Sequence, residues 1–256
     1  MKRFTFLLMC LFINTVYANS LTYPNGAKKA VIFSYDDGVI QDRRLVDLFN
    51  QYAVVGTFNI SSGLLGQQAP WLESYIGNIG EYITAEEVYT LYQGHEVAGH
   101  SFSHPGLAGL EHTELVKQIN NDQNILSSLI GQRITSFAYP LGSFDEAAKV
   151  ELKLAGFKNA RTVKDSRNFD IPKDFYQWSP TVHHSHAMPL VREYLEAQPD
   201  KLTVMLIWGH SWEFDEQKHN NNWNYMELLL KSISNKKDIW YVSAGDFTNF
   251  IQGNSE

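Results

Sequence analysis

Short apolar runs alternate along this chain with stretches in which apolar residues recur every three or four positions. Residues 30–35, 54–60, 96–98, 134–139, 157–162, 202–207 and 239–242 read as strands, each a compact apolar run. Between them, 42–52 carries Leu45, Leu48 and Phe49 on one helical face, and 84–93 opens with Thr84-Ala85-Glu86-Glu87, the pattern of a capping box. Residues 111–130 form a long amphipathic helix stopped by Gly131, 145–155 one closed by Gly156, and 223–233 another. Strands alternating with helices predict an α/β protein with a parallel sheet and helices outside, and this many units predicts a closed or nearly closed barrel. Residues 61–80 fit neither period and are expected to form a surface loop. No repeat and no linker rich in Pro, Gly or Ser divides the chain, so a single domain is expected over 19–256.

The first eighteen residues stand outside this pattern. Lys2 and Arg3 precede an apolar run over 4–13, and Val16-Tyr17-Ala18 offers residues that a signal peptidase accepts. The run is shorter than the ~20 residues that span a bilayer, so 1–18 reads as an export signal rather than a retained membrane anchor. Cleavage near Ala18 would deliver the rest to the periplasm or beyond. It would also remove Cys10, the only cysteine, and leave no thiol for a disulfide. The net charge of −7 becomes −9 once Lys2 and Arg3 are gone; with no basic stripe, a nucleic-acid partner is not expected. Nothing in the sequence points to a protein partner.

The polar strings that close the strands carry the chemistry. Ser34-Tyr35-Asp36-Asp37-Gly38 ends the first strand, His100-Ser101-Phe102-Ser103-His104 follows the third, and Tyr139-Pro140 and His210 follow later ones. In α/β barrels the loops at the carboxyl ends of the strands build the active site, so one face would receive all of these groups. One carboxylate and two imidazoles suit a first-row divalent ion such as Zn2+, with a position left open for water and a second carboxylate to spare. His100 and His104, four residues apart, would share one face if their segment is helical. Asp36 and Asp37 would point apart on a regular strand, but a turn at the strand end lets both face a pocket. Such a set points to a hydrolase that activates water.

The ordered motifs Ser34–Gly38, Gly94-His95-Glu96-Val97-Ala98-Gly99-His100-Ser101-Phe102-Ser103-His104, Phe137-Ala138-Tyr139-Pro140-Leu141-Gly142 and Ile207-Trp208-Gly209-His210 resemble those of the polysaccharide deacetylase family, also called NodB-homology or carbohydrate esterase family 4. The resemblance implies a distorted, incomplete (β/α) barrel that hydrolyses N-acetyl or O-acetyl groups on a poly- or oligosaccharide with a divalent metal, Zn2+ first, with Co2+ or another first-row ion as alternatives. It implies Asp37, His100 and His104 as metal ligands, Asp36 as general base and His210 as general acid. The loop at Tyr139, Pro140, Leu141 and Gly142, together with Trp208, is expected to bind substrate, the loop supplying a backbone N–H to the oxyanion.

The chain also departs from the family pattern. Many members carry an arginine beside the Phe of the third motif; here the arginines nearby are Arg133 and Arg161, and the sequence leaves open which of them, if either, substitutes. The fourth motif, an Asp with a Trp, has its nearest string at Asp174 to Trp178, so the partner of His210 is open as well. His183, His184 and His186 are expected to line a loop or pocket rather than hold a second ion, and His95 and Glu96 to be structural. Trp178, Trp208, Trp212 and Trp223 are either core residues or platforms for sugar rings. A carbohydrate-binding relative without turnover and a hydrolase of non-sugar amides remain alternatives on the same barrel.

Overall fold

The computed structural model describes residues 21–254; the export signal expected at 1–18 lies outside the described residues. In chain order the strands are β1 (Lys29–Asp37), β2 (Gly56–Ile60), β3 (Gln68–Ala69), β4 (Gly80–Glu81), β5 (Glu96–Gly99), β6 (Ser136–Ala138), β7 (Asn159–Arg161), β8 (Val182–His183), β9 (Thr203–His210) and β10 (Ile239–Tyr241). The α-helices are α1 (Asp42–Gln51), α2 (Glu73–Ile76), α3 (Ala85–Leu91), α4 (His112–Ile130), α5 (Glu146–Leu154), α6 (Ala187–Glu196), α7 (Trp223–Ile233) and α8 (Ala244–Gly253). Among the described residues no helix is long and apolar enough to cross a membrane.

The main sheet is parallel, in the order β7-β6-β5-β2-β1-β9-β8, with β10 added to β1. Strand β1 is buried along its whole length, as expected of a parallel strand covered on both faces. Its side chains alternate: Val31, Phe33 and Tyr35 pack outward beneath the helices, while Ala30 and Ile32 join Val204, Leu206 and Trp208 of β9 in a second, inner cluster. The outer edges β7 and β8 are not joined as full strands. The segment between them spans the gap: Trp178 pairs with β7 and Val182 with β9, which nearly closes the sheet. The result is a parallel sheet curled into an incomplete (β/α) barrel, nearly closed as the alternating pattern predicts and incomplete as the family resemblance implies.

Local signals account for most element ends. Thr84 and Glu87 make both bonds of the predicted capping box, and Asp145, Asn222 and Ser243 each accept a backbone N–H at a helix start. Gly131 and Gly156 end α4 and α5 with positive φ. Residues 61–80, expected to be a surface loop, instead form short helical turns and the antiparallel β3–β4 pair, held by a small core of Val39, Ala69, Leu72, Tyr82 and Trp212. Strand β8 and helices α6 and α8 are absent from the sequence reading.

Candidate active site

The polar strings that follow β1, β5 and β9 open onto one cleft of about 650 Å3. Asp36, Asp37, His100, His104, Leu141, Trp208 and His210 line it, together with Trp71, Tyr75 and Trp212. Asp36 follows the inward alternation of β1, and the backbone then turns at Asp37, whose φ is 88°. That left-handed residue lets two adjacent carboxylates face the same cleft. The sparse conformation is tolerable at Asp and is the kind of local strain that well-supported sites retain.

The segment from His100 to His104 is not helical, contrary to the expectation of a shared helix face. Ser101 and His104 both take positive φ, 63° and 62°, folding the chain back so that the two imidazoles meet edge to face at 4.8 Å between ring centres. Helix α4 holds this loop. Asp122 accepts from the backbone N–H groups of His100 (2.9 Å) and Ser62 (2.8 Å), and Gln118 one turn earlier accepts from Ser103 N–H and donates to its hydroxyl, both at 2.9 Å.

His100 Nε2 lies 3.8 Å and His104 Nε2 3.4 Å from Asp37 Oδ1, and one donor atom of each residue lies within 4.8 Å of the others. These separations suit three ligands around one ion of the zinc type. The donors are also prepared for an ion. His100 Nδ1 lies 2.8 Å from Ala138 O, which places its proton there and leaves the Nε2 lone pair free. Burial pushes the ring down to about 4, so it is neutral at pH 7. Trp212 Nε1 donates to Asp37 Oδ2 at 2.9 Å, leaving Oδ1 to face the imidazoles.

Asp36 is buried, and burial alone would raise its pKa. The Arg161 guanidinium, with smaller help from His100 and His210, more than offsets this and holds the carboxyl below its ordinary range. Arg161 Nη2 donates to Asp36 Oδ1, Asn59 Nδ2 donates to the same oxygen at 2.8 Å, and Arg161 Nε donates to Ser34 Oγ at 3.0 Å. The guanidinium also lies over the Trp208 ring, 4.9 Å from its centre. Arg133 is elsewhere, bonded to Gln123 and Ala155.

The sequence profile for polysaccharide deacetylases matches residues 23–160. The chain belongs to the polysaccharide deacetylase family. It is 27% identical over 133 residues to the peptidoglycan-N-acetylmuramic acid deacetylase PdaC of Bacillus subtilis, an alignment covering 51% of this chain and 25% of that relative. The chain thus spans about a quarter of the length of the curated relative it matches. The fold resembles that of a Mycobacterium smegmatis protein assigned as a polysaccharide deacetylase, with TM-score 0.64 and 14% identity over 92% of this chain and 94% of that one. It also resembles the B. subtilis PdaC structure (TM-score 0.54, 17% identity, 91% and 96% covered). A third is the family 4 acetyl xylan esterase of Clostridium thermocellum in complex with cobalt (TM-score 0.53, 17%, 88% and 92%).

Two departures from the deacetylase pattern resolve in the structure. Arg161, delivered by β7, rather than Arg133, is the arginine that pairs with Asp36. His210 has Glu213 beside it, with Oε2 3.5 Å from His210 Nδ1, while Asp174 caps a turn and pairs with Lys149 far from this contact. Burial opposes charge on His210, but Glu213 and the two aspartates outweigh it and raise the imidazole to about 9.

The expected substrate loop is only partly in place. Tyr139 is a core residue whose hydroxyl donates to Tyr176 O at 2.9 Å, and its N–H bonds Arg161 O. Pro140 is buried and has no N–H, and the Gly142 N–H bonds Tyr139 O. None of these three lines the cleft. Leu141, 73% exposed with φ 58°, does, and among the described residues its N–H has no bond within the protein. Trp208 lines the cleft as expected, whereas Trp178 and Trp223 are core. His95 accepts from Gly56 N–H, and Glu96 accepts from Thr57, Ser136 and Gly245, which are structural duties. The sequence reading missed Trp71 and Tyr75, which stand against Trp212 at ring separations of 5.4 and 5.0 Å. Their only signal was aromatic content in an unpatterned stretch.

Proposed function

We propose that this protein removes acetyl groups from an acetylated oligo- or polysaccharide, using a divalent metal held by Asp37, His100 and His104, with zinc or cobalt as the first candidates. The single observation that carries the reading is the convergence of those three donors beside two further groups, Asp36 and His210, at one cleft mouth. The ion, when bound, supplies Lewis-acid activation of water and of the acetyl carbonyl. Asp36, kept ionised by Arg161, accepts the proton of the attacking water. The unpaired N–H of Leu141 is the amide available to the developing oxyanion. His210, held in its charged form, gives a proton to the departing amine, a poor leaving group until protonated. Trp71, Tyr75 and Trp212 supply aromatic faces against which sugar rings pack, which favours a saccharide over a small non-sugar amide. The expected export signal fits an enzyme that meets its glycan outside the cytoplasm.

The test is acetate release from chitooligosaccharides, peptidoglycan fragments and acetylated xylan with added zinc or cobalt, with and without chelator. Release that chelator abolishes and metal restores is the expected result. Stoichiometric metal binding with no release from any of these substrates would return the chain to a binding role.

A further inference from the structure

The carboxylate beside His210 is itself gripped. His183, at the end of β8, places Nε2 2.9 Å from Glu213 Oε2. The backbone N–H of Ser185 donates to His183 Nδ1 at 3.4 Å, with Ser185 Oγ 2.8 Å from the same nitrogen. A ring nitrogen that accepts carries no proton, so the neutral His183 ring has its proton on Nε2, aimed at the carboxylate. The same Glu213 oxygen accepts from His210 N–H at 3.2 Å and stands 3.5 Å from both His210 Nδ1 and His184 Nε2. Three imidazoles therefore surround one carboxylate oxygen, and only His210 has a role in the chemistry so far.

We propose that His183 is a positioning residue for proton delivery: its donation to Glu213 anchors that carboxylate beneath His210 Nδ1, so that the opposite nitrogen of His210 stays protonated and turned to the cleft. This rests on reading His210 as the proton donor. A glutamate reaching back three residues along its own turn has rotatable bonds to spare, and an unanchored contact of that kind contributes little. His183 removes the freedom from outside the turn. His184 cannot do the same, because its Nε2 already lies 3.1 Å from Asn221 Oδ1 and burial pushes its ring down to about 3. The titratable groups facing His210 are Asp36 and Asp37 from β1, Glu213 from its own turn, and His183 and His184 from the β8 edge. His210 Nδ1 is buried, and Glu213 Oε2, 3.5 Å away, is the carboxylate oxygen that faces it.

The experiment uses the zinc-loaded full chain with His183→Phe, which keeps an aromatic ring without the donor, and His183→Gln, which restores an N–H. In His183→Phe, kcat for N-acetylated chitooligosaccharide should fall about tenfold or more, the usual range for losing a supporting partner, with KM and 4-nitrophenyl acetate hydrolysis within about twofold. His183→Gln should recover most of the loss. Nitrogen-15 NMR of the histidines reads the same device without a substrate: wild type and His183→Gln should show His210 protonated at both nitrogens to higher pH than His183→Phe. That spectrum separates a failure of this proposal from a failure of the deacetylase reading. An unchanged His210 signal in His183→Phe overturns the proposal. So does an equal loss for both substrates with a lowered Tm, which marks His183 as a structural prop. A second equivalent of zinc bound by the wild type and lost in His183→Phe also overturns it, by making the His183, Glu213 and His210 cluster an ion site.

Discussion

Asp36 and His210 are register partners on the adjacent parallel strands β1 and β9. Directly opposite residues of neighbouring parallel strands share a face of the sheet, and Asn59 of β2 continues the row on the other side of Asp36. In the proposed reaction the proton acceptor and the proton donor would therefore be set by backbone pairing rather than by loop placement. Asp36→Asn should retain metal and lower turnover by ~10²-fold or more with substrate binding little changed. Metal analysis alongside steady-state kinetics checks this; loss of metal in Asp36→Asn would mean that Asp36 and Asp37 exchange roles.

Removing one imidazole of the three-donor set should abolish tight metal binding without unfolding the chain. His104→Ala is the better variant, because His104 sits on a loop and is partly exposed whereas His100 is buried and bonded to Ala138. Equilibrium dialysis against zinc should show the stoichiometric ion lost, and circular dichroism should show the fold kept. Full zinc occupancy in this variant would remove His104 from the set.

Arg161→Met leaves the Asp36 carboxylate buried without its cation. Breaking a buried pair in this way costs about 3–5 kcal/mol. The pH dependence has a definite sign. The folded-state pKa of Asp36 is depressed, so the stabilisation is present above the ordinary carboxylate range and is lost as pH falls through the depressed value. Urea titrations should therefore show a large deficit for Arg161→Met at pH 7, a smaller one near pH 4, and partial recovery at pH 7 when Asp36→Asn is added.

His95 gives a second pH signature, away from the cleft. It is pushed down by burial to about 4, below the usual value of 6.5. Between those limits the unfolded chain takes up a proton that the folded one refuses, so stability falls as pH drops through this window, by at most about 1.4 kcal/mol per pH unit for one proton. His95→Gln, which retains an acceptor for Gly56 N–H, should flatten the fall between pH 6.5 and 4 in urea midpoints. An unaltered slope would place the acid sensitivity in other groups.

Much of this was legible from sequence because the strings that close β1, β5 and β9 are local. An apolar run followed by Asp-Asp, His or Trp-Gly-His needs only the barrel rule to bring its members to one mouth. What could not be read depends on register and on short elements. Arg161 or Arg133 as the partner of Asp36 is a question of which strand faces inward where. Strand β8 has two residues, too few to show a period, whereas α6 keeps helical spacing at Ala187, Leu190, Val191 and Tyr194 but is interrupted to the eye by Pro189 in its first turn. His183 was visible only as part of a histidine cluster, and Glu213 as an acid three residues beyond a histidine. Residues 61–80 lack a period because their short pieces pack on a small core of their own beside Trp212.

The same excursion gives the last prediction. Trp71 and Tyr75 are 38% and 49% exposed at the cleft, and Trp71 is held by an Nε1–H donated to the Tyr82 hydroxyl at 3.0 Å. Trp71→Ala should raise KM for a chitooligosaccharide several-fold, in line with the ~1 kcal/mol scale of an aromatic contact, while zinc content and 4-nitrophenyl acetate hydrolysis stay as in the wild type. Unchanged KM across chain lengths would show that the sugar rings lie on another wall.

The entry of the guanidinium from β7 changes what counts as the same site in two sequences. All strands of such a barrel end at a common rim, so a cation required at Asp36 can be lent by any strand whose last inward residue reaches it. Once β7 supplies it, the neighbouring strand is released to pack Phe137 and Ala138 against the core. A residue's place in the chemistry is then an address on the rim rather than a rank along the chain, and a motif that looks vacant when read in order can be complete when read around the circle.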